Sequence, residues 1–233
     1  VAKKINIKGP IVSDSDAWIY RWFGIEATSP KTVNETIEKA NGEDIEVIIN
    51  SGGGNVFVGS EIYTALKSYT GNVVVKIVGL AASAASVIAM AGKTVMMSPT
   101  AQMMVHNVTT YTEGDHREME HTAEVLKNAD NTIANAYRLK SGKTQEELLE
   151  LMSHETWMTA KKAKELKLID EIMFETEELQ LAASANYMGL LPAEVINKIR
   201  NIIKDPLNSG KDNADILMAR FNYLKLRGVG LND

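Results

Sequence analysis

Ser83 lies in the run Gly79-Leu80-Ala81-Ala82-Ser83-Ala84-Ala85-Ser86, between an apolar β-type stretch, Val73 to Val78, and a helix-compatible one, Val87 to Gly92. The pattern predicts strand, tight turn and buried helix, with the serine where the turn becomes the helix. The first N–H groups of a helix have no intrahelical partner and can donate to an anion, and small side chains let a substrate carbonyl approach. A lone serine at such a place is most often only a helix cap. A second feature changes that balance: Ser51-Gly52-Gly53-Gly54 follows another strand-like run, Ile45 to Asn50, about thirty residues upstream. Two small-residue turns after successive strands suggest one βαβ unit, which puts both at the same edge of the sheet, where open α/β folds place their sites. One turn offers a hydroxyl and the other backbone N–H donors: a nucleophile beside an oxyanion hole.

A third stretch, Pro99-Thr100-Ala101-Gln102-Met103-Met104-Val105-His106-Asn107, ends a short apolar strand in a histidine. With Asn50-Ser51-Gly52-Gly53-Gly54 and Gly79-Leu80-Ala81-Ala82-Ser83, it resembles the three signature blocks of Clp protease proteolytic subunits, in the variant encoded by phages and prophages. The resemblance runs over roughly residues 5 to 174, and the joint order of the blocks makes it specific where any single block is not. It implies an α/β, crotonase-like fold of stacked ββα units with a protruding handle helix. It further implies a serine endopeptidase with Ser83 as nucleophile and His106 as base. Glu155 falls where most relatives carry aspartate, and a Ser-His-Glu set is chemically competent. The oxyanion donors expected on this alignment are the N–H groups of Gly53 and Ala84. Gly52 stands where most relatives have proline, which loosens the loop. A general base must be a neutral imidazole, so activity is expected to fall below about pH 6–7.

The resemblance also implies partners: polypeptide substrates and a homo-oligomer of heptameric rings, two of them stacked. In cellular relatives an AAA+ unfoldase feeds the chamber; in the phage type, capsid proteins are the substrates. The residues leave these open. The chain has no GxxxxGK[ST] loop, so ATP would belong to a partner.

Rival assignments stay beside this one. Ser86, one helical turn on, is a second hydroxyl, expected to bond within its own helix. His116, His121 and His154 sit among charges and are expected in solvent; Asp170 is the weaker alternative acid. A Ser–Lys dyad would use Lys127 or Lys140. A crotonase-type acyl-CoA enzyme shares this architecture without needing the Ser83, His106 and Glu155 set. A ring subunit with only a structural role in capsid assembly is the non-enzymatic alternative, with Gly52 and Glu155 as its marks.

Composition narrows the classes. At 233 residues the chain has room for one α/β domain and an appendage. A net charge of −5 argues against nucleic acid as the main partner. With no cysteine and four scattered histidines, disulfides, thiolate chemistry and zinc sites are not expected, and no cofactor is invoked. No apolar run reaches the ~20 residues of a membrane span and no signal peptide is legible. A soluble protein of the bacterial host cytosol is the expectation.

The elements that must hold these residues follow from periodicity. Strands are expected near 3–12, 45–50, 73–78, 94–97 and 103–105. Trp18 and Trp22, at i and i+4 in a helix from Asp14, share one face, for core packing or a subunit contact. Ser29-Pro30 opens a helix closed by Asn41-Gly42, and Val56 to Tyr69 is the crossover helix. His116 to Lys140 reads as one helix of roughly 25 residues, long against a mean near 11–12; in the resembled family it is the handle. Thr144 caps a short helix, Glu155 to Met158 is expected as a turn, and Thr159 caps another helix before a last strand. A catalytic domain over 1–174 and a helical extension over 175–233, with helices at 192–204 and 213–226, complete the expected organisation.

Overall fold

Alternation of apolar and polar residues builds a sheet whose strands bury every second side chain. The structure, a computed structural model, describes residues 2–175; the extension, with its expected helices at 192–204 and 213–226, lies outside the described residues. In chain order, β1 (Lys3–Lys8) is followed by α1 (Asp14–Trp22), α2 (Pro30–Ala40), β2 (Ile45–Ser51), α3 (Val56–Lys67), β3 (Val73–Ala82) and α4 (Ala84–Ala89). The chain continues through β4 (Thr94–Met97), β5 (Gln102–Val105), α5 (His116–Ser141), α6 (Gln145–Ser153), β6 (Thr156–Thr159), α7 (Ala160–Glu165) and β7 (Glu171–Ile172).

β1, β2, β3, β4 and β7 lie side by side, all parallel. β3 is the organising strand. Its first half, Val74–Ile77, pairs with β4, and its last residues, Leu80–Ala82, pair with β5. β6 then returns antiparallel on β5. Ile5, Ile7, Val47, Ile49, Val75, Ile77, Val95 and Met97 are among the buried residues of the parallel strands. Short α4, buried along its whole length, packs into this core.

Two expectations change. The run Gly79–Ala82 was expected to be the tight turn, but it continues β3 as strand, and the reversal is confined to Ser83. The strand survives because both edges there find partners: Ala81 pairs with Ser51 past a bulge whose extra residues lie in β3, and Leu80–Ala82 pair with β5. Asn50 bridges that bulge, its Oδ1 accepting from the Leu80 N–H at 3.1 Å. Likewise Thr156–Met158, expected within a turn, belongs to strand β6, held by the β5 edge, while Thr159 caps α7 as expected.

The helices largely follow their capping signals. Asn41 takes the left-handed conformation that ends α2. Asn55 Oδ1 accepts from the N–H groups of Phe57 and Val58 at the start of α3. Thr144 and Glu147 form a reciprocal capping box on α6. α1 buries none of its residues; Trp18 and Trp22 are 61% and 54% exposed, so they do not belong to the core of the described residues. No helix among the described residues is long and apolar enough to cross a membrane.

Candidate active site

Ser83 sits between β3 and α4 with φ 54° and ψ −128°. A non-glycine residue held there costs on the order of 1–3 kcal/mol, and such a strained strand-to-helix turn lifts a hydroxyl clear of the sheet. The neighbours impose the conformation. The Ser83 N–H continues the β3–β5 ladder by donating to Met104 O at 3.0 Å, and its carbonyl accepts from Ser86 Oγ at 2.7 Å. Ser86 is therefore occupied inside its helix, as expected, and its Oγ also meets Tyr137 of α5 at 2.8 Å.

The parallel pairing of β5 with β3 carries the chain back to the same edge, so His106, one residue past β5, arrives beside the serine. His106 Nε2 lies 2.8 Å from Ser83 Oγ. The two are 23 residues apart in sequence and are brought together by strand register alone.

The glycine turn meets them from the other side. Gly53 has φ +96°, and a Cβ there would lie 2.7 Å from both Ala82 O and Ser83 Cβ. Only glycine lets the two turns close on one another. The donor role expected for Gly53 needs correction, because its N–H is already spent on Ser51 Oγ at 3.1 Å. Among the described residues the N–H of Gly54 has no such partner, and Gly54 lines the same cleft as Ser83 and Ala84. Ala84 is the first residue of α4, where the N–H has no intrahelical acceptor.

The cleft has a volume of about 330 Å³. Its outer wall is one face of α5: Thr122, Val125, Leu126, Ala129 and Ile133 recur at helical spacing. Only His106 and Tyr137 among its lining residues titrate. It can hold an apolar side chain next to the serine.

Glu155 is not brought onto the imidazole. The β5–β6 register, with Val105 opposite Thr156, sets Glu155 level with His106. Its backbone turns into the left-handed region at φ 46°, and its exposed carboxylate accepts from Trp157 Nε1 at 3.2 Å. Asp170, the alternative acid, is bound elsewhere: its Oδ2 accepts from Val95 N–H at 2.6 Å and from Lys140 Nζ at 2.5 Å. That pair also occupies Lys140, one of the two lysines considered as a base; Lys127 lines a neighbouring cleft with Asn107 and Asp130. His116, His121 and His154 are exposed, and His154 Nδ1 bonds to Glu150 O at 2.9 Å.

Two site residues escaped the sequence. Asp130 is only 9% exposed, on the inner face of α5, and its Oδ1 accepts from the Val108 N–H at 2.6 Å. Burial raises its carboxyl above the ordinary aspartate range, while the Val108 N–H and the charge of His106 pull it back. Tyr137 is fully enclosed, and burial drives its phenol far above the ordinary tyrosine value. A polar residue interrupting the apolar line of a long helix was the available signal for Asp130.

Comparison with known proteins agrees with the architecture. A family model described as Clp protease matches residues 35–176. Among similar curated proteins, an "ATP-dependent Clp protease proteolytic subunit" of Bacteroides fragilis is 31% identical over 136 residues, covering 58% of this chain and 66% of that protein. An "ATP-dependent Clp protease proteolytic subunit 1" of Chlamydia abortus is 29% identical over 185 residues, 76% of this chain and 90% of that protein. The match to the Bacteroides fragilis protein thus spans just under two thirds of its length. With the family model matching more than half of its residues, the chain belongs to the Clp protease family.

Proposed function

We propose that the chain is a serine endopeptidase subunit that hydrolyses polypeptides within a ring-shaped oligomer, using Ser83 and His106 with the N–H groups of Gly54 and Ala84 as oxyanion donors. The single observation that carries this is the 2.8 Å contact between Ser83 Oγ and His106 Nε2 at a strained turn. A neutral imidazole with its proton on Nδ1 accepts the hydroxyl proton as Oγ attacks the peptide carbonyl. Negative charge gathers on the carbonyl oxygen, where two preorganised N–H donors are each worth ~10²–10³ in turnover. The imidazolium then protonates the leaving amine as the C–N bond breaks, and the acyl-enzyme is hydrolysed by water activated on the same nitrogen. Glu155 is the acid that the family alignment supplies; to orient His106 its carboxylate would have to leave Trp157. The ring, an unfoldase feeding it and the identity of its substrates come to this chain by family likeness.

Labelling with a fluorophosphonate probe tests the proposal. The assembled protein is expected to label, Ser83→Ala to lose labelling, and peptide turnover in Ser83→Ala or His106→Ala to fall by about 10⁴-fold or more. Labelling that survives Ser83→Ala, or turnover that survives His106→Ala, overturns it.

A further inference from the structure

The base has one ring nitrogen on the serine. Its other nitrogen, Nδ1, has no protein hydrogen-bond partner among the described residues, so the group that fixes the tautomer and supports the imidazolium is not evident from contacts to the ring. Two carboxylates are candidates for that role. Glu155 is in solvent and turned onto an indole. Asp130 comes from α5, is buried, and holds the backbone two residues beyond the base through Val108 N–H at 2.6 Å. Its second oxygen, Oδ2, has no hydrogen-bond partner among the described residues. We propose that Asp130, not Glu155, is the positioning carboxylate of the site: Oδ1 clamps the His106–Val108 segment and the negative charge stabilises the imidazolium.

Three physical points support Asp130. A desolvated charge is worth more to a neighbouring imidazolium than an exposed one, which water screens. A helix-borne side chain fixed by a hydrogen bond to the segment carrying the base is pre-organised, whereas Glu155 must first break its bond to Trp157. Burying a carboxylate next to one N–H donor costs stability, and a structural clamp alone would be served as well by asparagine. The charged and titratable groups around the base are few: Asp130, Tyr137 and, one turn before Asp130, Lys127 on α5; Glu146 and Glu150 on α6, beside Asn107; Glu155 just before β6. Burial raises the Asp130 carboxyl, and the Val108 N–H and His106 act against that rise, the interaction with His106 being the one a charge held for the base requires.

The inference rests on the proposed role of His106, so its test includes a readout that needs no turnover. In full-length Ser83→Ala protein, NMR titration of the His106 ring is compared with and without Asp130→Asn and, separately, Glu155→Gln. Asp130→Asn is expected to move the titration to lower pH by at least about half a pH unit, and Glu155→Gln to leave it in place. In the Ser83 enzyme, Asp130→Asn should lower kcat/KM at least about tenfold and move its acidic limb the same way, with KM little changed. The amide keeps an acceptor for Val108 N–H, so thermal stability near neutral pH should hold or rise. A ring titration that ignores Asp130→Asn, or follows Glu155→Gln instead, overturns the assignment. If the ring shifts as expected but peptide turnover is absent even in the unsubstituted enzyme, it is the peptidase proposal that fails, and the assignment of Asp130 stands.

Discussion

Ser86 has one hydroxyl proton and two oxygens near it. The carbonyl of Ser83, at 2.7 Å, can only accept, so Ser86 donates there and the Tyr137 hydroxyl, at 2.8 Å, donates to Ser86. The direction of the chain from α5 to the nucleophile's carbonyl is thereby fixed. Ser86→Ala removes the acceptor of a fully buried phenol and should cost about 1–3 kcal/mol; Tyr137→Phe removes only the donor and should cost about 0.5–1.5 kcal/mol. Urea unfolding checks the order. The phenol adds a pH signature. Its folded value lies above the unfolded value of about 10, so above that pH the unfolded chain sheds a proton that the folded chain keeps. Stability should therefore fall as pH rises through and beyond 10, and that contribution should be missing from Tyr137→Phe. Sequence placed Ser86 one turn after Ser83 and Tyr137 on the apolar line of its helix. Their meeting is a tertiary event between residues 51 apart, with no local signature.

At the level of elements, the site depends on two turns fitting against each other, and three consecutive glycines divide the work. Gly52 has no atom within 4 Å of an added Cβ and no left-handed φ; Gly53 would drive a Cβ into Ala82 O and Ser83 Cβ; Gly54 would drive one to 2.2 Å from Ile11 O. Gly52→Ala should therefore stabilise the protein by about 0.4–1 kcal/mol through the unfolded chain and leave probe labelling intact. Gly53→Ala should destabilise by about 1–3 kcal/mol and abolish labelling by separating the turns. Equal behaviour of the two variants in thermal melts and labelling would contradict this division. Most elements were legible before the structure, because strands such as Ile45–Ser51 alternate cleanly and helices such as α2 and α6 carry their own caps. The misses share a cause. Gly79–Ala82 has weak strand preference and Thr156–Met158, though made of strand formers, is too short to declare itself; the conformation of both is set by strands contributed from elsewhere. The same holds for the carboxylates: the alignment could point to Glu155, but only packing of α5 against the segment after β5 brings Asp130 into view.

Over the whole molecule, α5 is out of proportion to the domain it serves. Its 26 residues span about 39 Å, yet the buried ones begin only at Asp130, so the first half of the helix lies outside the core of the described residues. One face of that half walls the cleft; Met119, on the exposed part, is 43% accessible between Glu118 and Glu120. An exposed methionine on a charged helix adds nothing to a lone subunit, and in the ring proposed above such a surface would be where subunits or rings meet. The expected outcome is that the 25.6 kDa chain sediments as a much larger complex, and that Met119→Glu, which completes an acidic run of three, shifts it to smaller species. Because Met119 lies outside the core, the thermal stability of the released subunits should change by less than about 0.5 kcal/mol. Sedimentation velocity on both proteins at matched concentration decides the matter: an unsubstituted chain that runs as a monomer removes the oligomer from the proposal. Unchanged assembly in Met119→Glu removes this half of α5 from the contact. If the smaller species also lose probe labelling while Ser83 and His106 are untouched, the Tyr137–Ser86–Ser83 chain and the Asp130 clamp, both rooted in α5, supply the physical route from assembly to the nucleophile.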